Sequence, residues 1–330
     1  MPVIVPMCEL QNGQEADMFV LLTAKETLVT REGKPYFKVT FRDGRREVSF
    51  PIWIDSPLAA ECRDNWTPGT AYKVRALYRE TSFGPQLEIR KLRPVAPADE
   101  ADGYNPHMFL PRSRFDPDEM FRELVTIARE RIADSALRSL TIDLLESNRA
   151  ALTTLPAATR NHHAYVGGYL EHVLSVTRTC MYLAEKYDNY YPDLQPPLNK
   201  DLVVAGGILH DIGKLREYRE APAGAEYTAS GTLIGHILQG RDIVREAASR
   251  YAIDPETLLR LEHIIVSHQR LPEWGSPKPP MTPEALLVHY ADDVDAKFNM
   301  MFIALRDDVT TGPMTSSRNM LYQKVYRGGE

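Results

Sequence analysis

Residues 203–214 read VVAGGILHDIGK, an apolar run that ends on adjacent His210 and Asp211 and then turns at a glycine. A run this short is a buried helix, since a membrane span needs about 20 apolar residues. Neighbouring helical side chains diverge by roughly a quarter-turn or slightly more. At a helix end two such groups can still converge on one ion. An imidazole nitrogen beside a carboxylate oxygen suits Mn, Fe, Co, Ni or Zn.

Outward from this point, GGYLEH (167–172), GHI (235–237) and HYADDVDA (289–296) supply further donors. His172 and Asp292 complete a four-ligand set with His210 and Asp211, drawn from three helices in the order H…HD…D. His236 and His268 can hold a second ion, with Asp211 bridging both. A buried carboxylate between two cations stays ionised, because opposite charge favours the charged form. Any one of these histidines also reads as an ordinary core or surface residue. The set as a whole does not.

The flanking sequence divides the chain in two. Between 15 and 95, ADMFVLLTAKETLVT, PYFKVTFRDG, RREVSFPIWI, AYKVRALYRE and PQLEIRKLRPV are β-branched or aromatic and partly alternating, with turns such as Asp43-Gly44 between them. About five strands without a long helix point to a small OB-like barrel. From Asp116-Pro117-Asp118-Glu119, an acidic cap with proline at the first helical position, apolar spacings of three and four predict helices over 117–132, 136–152, 168–187, 200–215, 233–250, 256–268 and 283–306. The expected fold is multi-domain β plus all-α. An OB-like barrel suited to nucleic acid occupies 1–97, a proline-rich linker 98–115, and an all-α helical bundle with the metal-ligand candidates 116–330.

Bulk properties agree. The 330 residues are 43% hydrophobic and 25% charged, with formal net charge −6. Residues 1–97 carry 14 Lys+Arg against 12 Asp+Glu, and the remainder 25 against 33. A slightly basic front and an acidic back suit a polyanion-holding module beside a metal-holding one. Three widely spaced cysteines without a CxxC pair argue for a reducing cytoplasm. MPVIVPMCEL lacks the basic-then-apolar pattern of a secretory leader, and no membrane association is expected.

The H172…H210-D211…D292 pattern resembles the HD superfamily of metal phosphohydrolases. NHHAYVGGYLEHVLSV, ILHDIGK, GHI and IIVSHQ…EWGSPKPPMTPEALLVHYADDVDAK look like the YhaM-type 3′–5′ exoribonucleases, which also place an OB-like domain ahead of the HD domain. The resemblance spans nearly the whole chain. It implies metal ligands at His172, His210, Asp211 and Asp292, second-site candidates at His236 and His268, and roles near His162, His163 and Lys214. It further implies 3′–5′ cleavage of single-stranded RNA, or alternatively single-stranded DNA, with one or two divalent ions (Mn, Fe, Co or similar), and it makes a homo-oligomer plausible. The chain departs from the family at His268-Gln269, where a paired His is common. His263, five residues before His268, reads as a packing or supporting residue.

A divalent cation in such a site lowers the pKa of water toward neutral and neutralises developing charge on phosphate. Lys214, one turn after His210, could reach a phosphate oxygen. His162 or His163 could protonate the leaving oxygen or hold the phosphate, and Asp211 belongs to the same catalytic group. For nucleic acid, Arg42, Arg45, Arg46, Lys73 and Arg75 are the candidate cations, with Tyr36, Phe37, Phe41 and Tyr72 as candidate stacking rings. The tail RNMLYQKVYRGGE reads as a helix packed on the second domain, with Arg318, Lys324 and Arg327 as an alternative part of the RNA path. Two rivals stand beside exonuclease activity: an HD-domain nucleotide or cyclic-nucleotide phosphohydrolase, and a non-catalytic single-stranded nucleic-acid-binding protein. No GYP follows the HD pair, which disfavours cyclic dinucleotides.

Overall fold

The computed structural model describes residues 4–328 apart from 31, 45, 82, 83, 222, 223 and 309. The chain divides into two compact units, Met1–Pro111 with Ala221–Gly224, and Arg112–Glu220 with Ala225–Glu330.

In the first unit, β1 (Glu15–Val29), β2 (Pro35–Arg42), β3 (Glu47–Trp53), α1 (Ala59–Asn65), β4 (Ala71–Thr81) and β5 (Gly84–Pro94) follow in order. The strands are antiparallel and ordered β3-β2-β1-β4-β5. β1 is shared: Glu15–Leu21 pairs with β4 and Leu21–Val29 with β2. An irregularity between Leu22 and Ala24 marks the changeover, where a bulge sharpens the bend. The outermost strands β3 and β5 meet, which curls the sheet into a five-stranded barrel, and α1 connects β3 to β4. This is the OB architecture. Alternation sends Phe37, Val39, Phe41, Val48, Phe50 and Ile52 inward against Trp66 and Tyr72. Each large side chain removed from water stabilises by about 1.5–3 kcal/mol.

Residues 98–115, expected as a linker, are largely folded onto this barrel. Two 3-10 helices, Pro97–Asp102 and Pro106–Phe109, bring Phe109, Tyr104 and Met108 onto Phe19 and Leu21. Buried Asp99 accepts hydrogen bonds from Arg93 at 2.6 and 2.7 Å and from Lys73 at 3.2 Å. The proline content that suggests a linker instead shapes a cover, and the division between units falls after Pro111.

The second unit contains α2 (Pro117–Arg131), α3 (Ser135–Ser147), α4 (Arg149–Leu152), α5 (Gly168–Tyr190), α6 (Lys200–Leu209), α7 (Lys214–Glu217), the hairpin β6 (Tyr218–Ala221) and β7 (Gly224–Tyr227), α8 (Ala229–Ile234), α9 (His236–Ala248), α10 (Pro255–Ser267) and α11 (Pro283–Asp307). As the acidic cap predicts, Asp116 Oδ1 accepts from Glu119 N–H at 2.9 Å. Every residue of α6 from Leu202 to Leu209 is buried, and α5, α10 and α11 pack around it. The hairpin interrupts an otherwise helical unit. Residues after Asp307 form a loop, not the expected helix. Its ends are tied by Asp308 with Arg327 and by Thr315 N–H to Val325 O at 2.8 Å. Among the described residues, no helix is long and apolar enough to cross a membrane.

Candidate metal centre

The buried end of α6 places His210 and Asp211 at the centre of the second unit, both nearly or wholly inaccessible to water. Gly213 then lets α9 begin against this turn, since a Cβ there would lie 1.8 Å from His236 O. α5 contributes His172, α9 His236, the end of α10 His268, and α11 Asp292.

These side chains surround Asp211. Its Oδ2 lies 3.5 Å from His172 Nε2 and 3.6 Å from His210 Nε2. Asp292 Oδ1 closes that side, 3.2 Å from His172 Nε2 and 3.9 Å from His210 Nε2. The other oxygen, Oδ1, faces His236 Nε2 at 3.3 Å and His268 Nε2 at 3.5 Å. His172, His210 and Asp292 form one group that could hold an ion, and Asp211, His236 and His268 form another. Donors about 2.1 Å from a shared ion stand roughly 3.0–3.4 Å apart at octahedral to tetrahedral angles, close to the separations here. Gln269 does not prevent the second group from assembling. Its Nε2 rests 3.4 Å from His236 Nε2.

The hydrogen bonding is directional. All four imidazoles commit Nδ1 to a protein oxygen: His172 to Asp295 Oδ2 at 2.7 Å, His210 to Gly207 O at 2.9 Å, His236 to Glu217 Oε1 at 3.1 Å and His268 to Ile265 O at 2.8 Å. Fixing Nδ1 as the donor presents the Nε2 lone pair to Asp211, the arrangement by which proteins orient imidazole ligands. Asp211 Oδ1 and His268 Nε2 are buried with no hydrogen-bond partner. Buried polar atoms are rarely left so, and a cation held between these two would satisfy both.

The electrostatics favour positive charge. Burial opposes ionisation of Asp211, but Lys214 and His210 hold its carboxyl well below the usual range. Asp292 is likewise depressed against burial, through His172. His172 is pushed up to about 10: burial opposes the shift, and hydrogen bonds to Asp292 and Asp295 overcome it. His210, whose Nδ1 meets only a carbonyl, is lowered to about 4 by burial.

The remaining expected residues separate. Lys214 is buried with Nζ 2.5 Å from Asp211 Oδ2. His162 lies on the wall of a cavity of about 660 Å³ shared with Asp211, Lys214, His236, His268 and Asp292; burial lowers it to about 3. His163 is clamped instead. Its Nδ1 meets Tyr165 OH at 2.8 Å, its Nε2 Asp295 Oδ2 at 3.0 Å, and its N–H donates to Asn299 at 2.9 Å. His263 accepts the Met281 N–H at 2.8 Å, a packing role.

Three of the expected barrel cations have partners within their own unit. Arg75 forms a two-point ion pair with Asp17 at 2.6 and 2.9 Å. Lys73 meets Asp99 and Asp102, and Arg46 donates to Met7 O and Leu10 O. These three serve the unit's own carboxylates and carbonyls. Arg45 lies outside the described residues. Phe37, Phe41 and Tyr72 are core rings, whereas Tyr36 pairs across strands with Trp53, ring centroids 5.2 Å apart. In the tail, Arg327 is bound to Asp308.

Residues 169–297 match the family model described as HD domain. The 3′-5′ exoribonuclease YhaM of Bacillus subtilis (strain 168) is 34% identical over 293 residues, 89% of this chain and 88% of that one. The chain belongs to the YhaM 3′-5′ exoribonuclease family. The YhaM of Bacillus licheniformis gives the same identity and coverage. Among solved structures, the second OB-fold domain of replication protein A from Methanococcus maripaludis covers 28% of this chain and 95% of its own, at 12% identity and TM-score 0.22. In this YhaM-family chain, sequence reasoning missed Asp295 and Glu217. Asp295 was within reach, one helical turn after Asp292 on α11. Glu217 had no usable signal, because a turn and a short helix separate it from His210.

Proposed function

We propose that the chain is a metal-dependent 3′-5′ exoribonuclease that removes nucleotides from single-stranded RNA. The observation that carries this is the four imidazoles whose Nε2 atoms converge on the two oxygens of Asp211, each fixed by an Nδ1 bond. His172, His210, Asp211 and Asp292 would hold one divalent ion, and Asp211, His236 and His268 a second. The mixed nitrogen and oxygen donors suit Mn, Fe or Co. When bound, such ions lower the pKa of water and neutralise charge on the phosphate.

The chain's own residues supply the rest. Lys214, buried beside Asp211, offers its ammonium to a phosphate oxygen. His162 lines the cavity and, its ring kept neutral by burial, is placed to hold a phosphate oxygen. His163 acts at one remove, steadying Asp295 and through it His172. On the barrel, the outward face of β2 and β3 carries the Tyr36–Trp53 pair with exposed Lys38 and half-buried Arg42, on the strands that OB folds use for oligonucleotides. Stacking and backbone contacts do not depend on the sugar, so single-stranded DNA is a second substrate. Buried thiols at Cys62 and Cys180 suit a reducing cytoplasm. Leu286, Tyr290, Val294, Phe298 and Phe302 lie exposed at four-residue intervals on α11. Such an i±4 ridge can interdigitate with its own copy, which supports a homo-oligomer, testable by sedimentation.

The decisive experiment is a gel time course on 5′-labelled RNA with Mn²⁺, Mg²⁺ or EDTA, beside dNTPs and cyclic nucleotides. Metal-dependent stepwise shortening of the labelled strand is expected. A single internal cut, or hydrolysis of the small nucleotides alone, refutes it.

A further inference from the structure

Immediately after His268 and Gln269 the chain closes one 3-10 turn, Pro272–Trp274. The turn is rigidly built. Trp274 N–H and Ser276 N–H both donate to Leu271 O, at 3.0 and 3.1 Å, and buried Ser276 Oγ accepts the Gln269 N–H at 3.0 Å. Gly275 sits at φ +106°, a conformation side chains rarely adopt, and a Cβ there would lie 3.4 Å from Ile237. The mount is therefore fixed to the helix end that carries His268.

This mount holds an indole that is 50% exposed on the wall of the same cavity as both ligand groups. Holding a large ring rigidly in water runs against the hydrophobic effect unless something covers it. Above it stands Lys297, Nζ 5.7 Å from the ring centroid, five residues after Asp292 on α11. Lys297 also meets Asp293 at 2.8 Å. The cavity's volume falls within the roughly 300–1,000 Å³ of small-ligand sites. An aromatic face with a cation at its edge is the combination that receives a base and its phosphate, and it accepts any base because each has a π-face.

We infer that Trp274 is the stacking platform for a nucleobase next to the scissile phosphate, with Lys297 engaging the adjoining phosphate. This rests on the exoribonuclease proposal and adds to it where the 3′ end is gripped.

The test uses the full chain and two RNAs, one ordinary and one with an abasic residue at one of its last two 3′ positions. Steady-state kcat and KM are measured for the wild type, Trp274→Ala and Trp274→Phe, together with bound metal. The wild type is expected to lose roughly tenfold or more in kcat/KM on the abasic RNA. Trp274→Ala should lose a similar factor on ordinary RNA and little further on the abasic one. Trp274→Phe should recover most of the loss, with metal content equal in all three. Wild-type rates for Trp274→Ala on ordinary RNA, equal losses on both RNAs, or a fall in bound metal would overturn the assignment while leaving the exoribonuclease proposal standing. A wild-type chain that shortens neither RNA removes both.

Discussion

Asp295 gives a prediction whose size follows from its contacts. One oxygen, Oδ2, accepts from His172 Nδ1 at 2.7 Å and from His163 Nε2 at 3.0 Å. Burial works against ionisation, but those two imidazoles hold the carboxyl well below the usual carboxylate range. The carboxylate therefore fixes the His172 ring and raises the basicity of its Nε2. Changing a partner of this kind costs about 10–100-fold in metal affinity, or roughly 1.4–2.7 kcal/mol. Asp295→Asn keeps an oxygen and loses the charge, so the low end, about tenfold, is expected. Asp295→Ala loses both and releases the ring, so the high end is expected. Competition of Mn²⁺ or Co²⁺ against a chromophoric chelator measures the affinity, with circular dichroism to verify folding. A folded Asp295→Ala chain that binds metal as tightly as the wild type would refute the idea that Asp295 acts through His172.

Gly213→Ala should push α9 and His236 away from Asp211, because its Cβ would sit 1.8 Å from His236 O; a loss of about 1–3 kcal/mol and of metal stoichiometry is expected, and an unchanged melting curve with full metal would contradict it. Replacing Tyr36 and Trp53 together by Ala should weaken binding of long single-stranded RNA by about 5–150-fold per stacked base and leave metal content alone, as measured by fluorescence anisotropy in EDTA; equal affinity would remove that face from the RNA path. The Arg93 hydrogen bond depresses Asp99 against burial, so its contribution to stability is present above the unfolded carboxylate pKa and disappears as pH falls toward the folded value. Hydrogen exchange should show the stability gap between wild type and Asp99→Asn in the barrel narrowing from pH 7 to pH 3, and a gap that widens would reverse the sign.

The sequence made the clustered His and Asp side chains legible because a metal-ligand set demands particular residue types. HD beside IGK, with His172 before it and Asp292 after it, leaves few other purposes for so many imidazoles. The helical unit was legible through caps such as Asp116-Pro117 and through apolar spacing. What escaped depended on which way a side chain points. Lys73, Arg75 and Arg46 carry the charge that nucleic acid attracts, yet each has an internal carboxylate or carbonyl partner supplied by a distant strand or loop. Phe37 and Tyr36 are neighbours in β2, and strand alternation sends one into the core and the other to the surface. That choice follows from strand register, and Trp53 shows which side is wet only once β3 is paired. The tail lacks a helix because Asp308 and Arg327, 19 residues apart, draw its ends together.

The cover formed by residues 97–109 changes where the chain can be cut. A fragment stopped at Pro97, where the strands end on paper, would strip Tyr104 and Phe109 from Phe19 and Leu21 and leave the guanidinium of Arg93 without its carboxylate. Anyone preparing the front half by itself would do better to keep everything through Pro111, since the last dozen residues act as upholstery for a surface that water would otherwise wet.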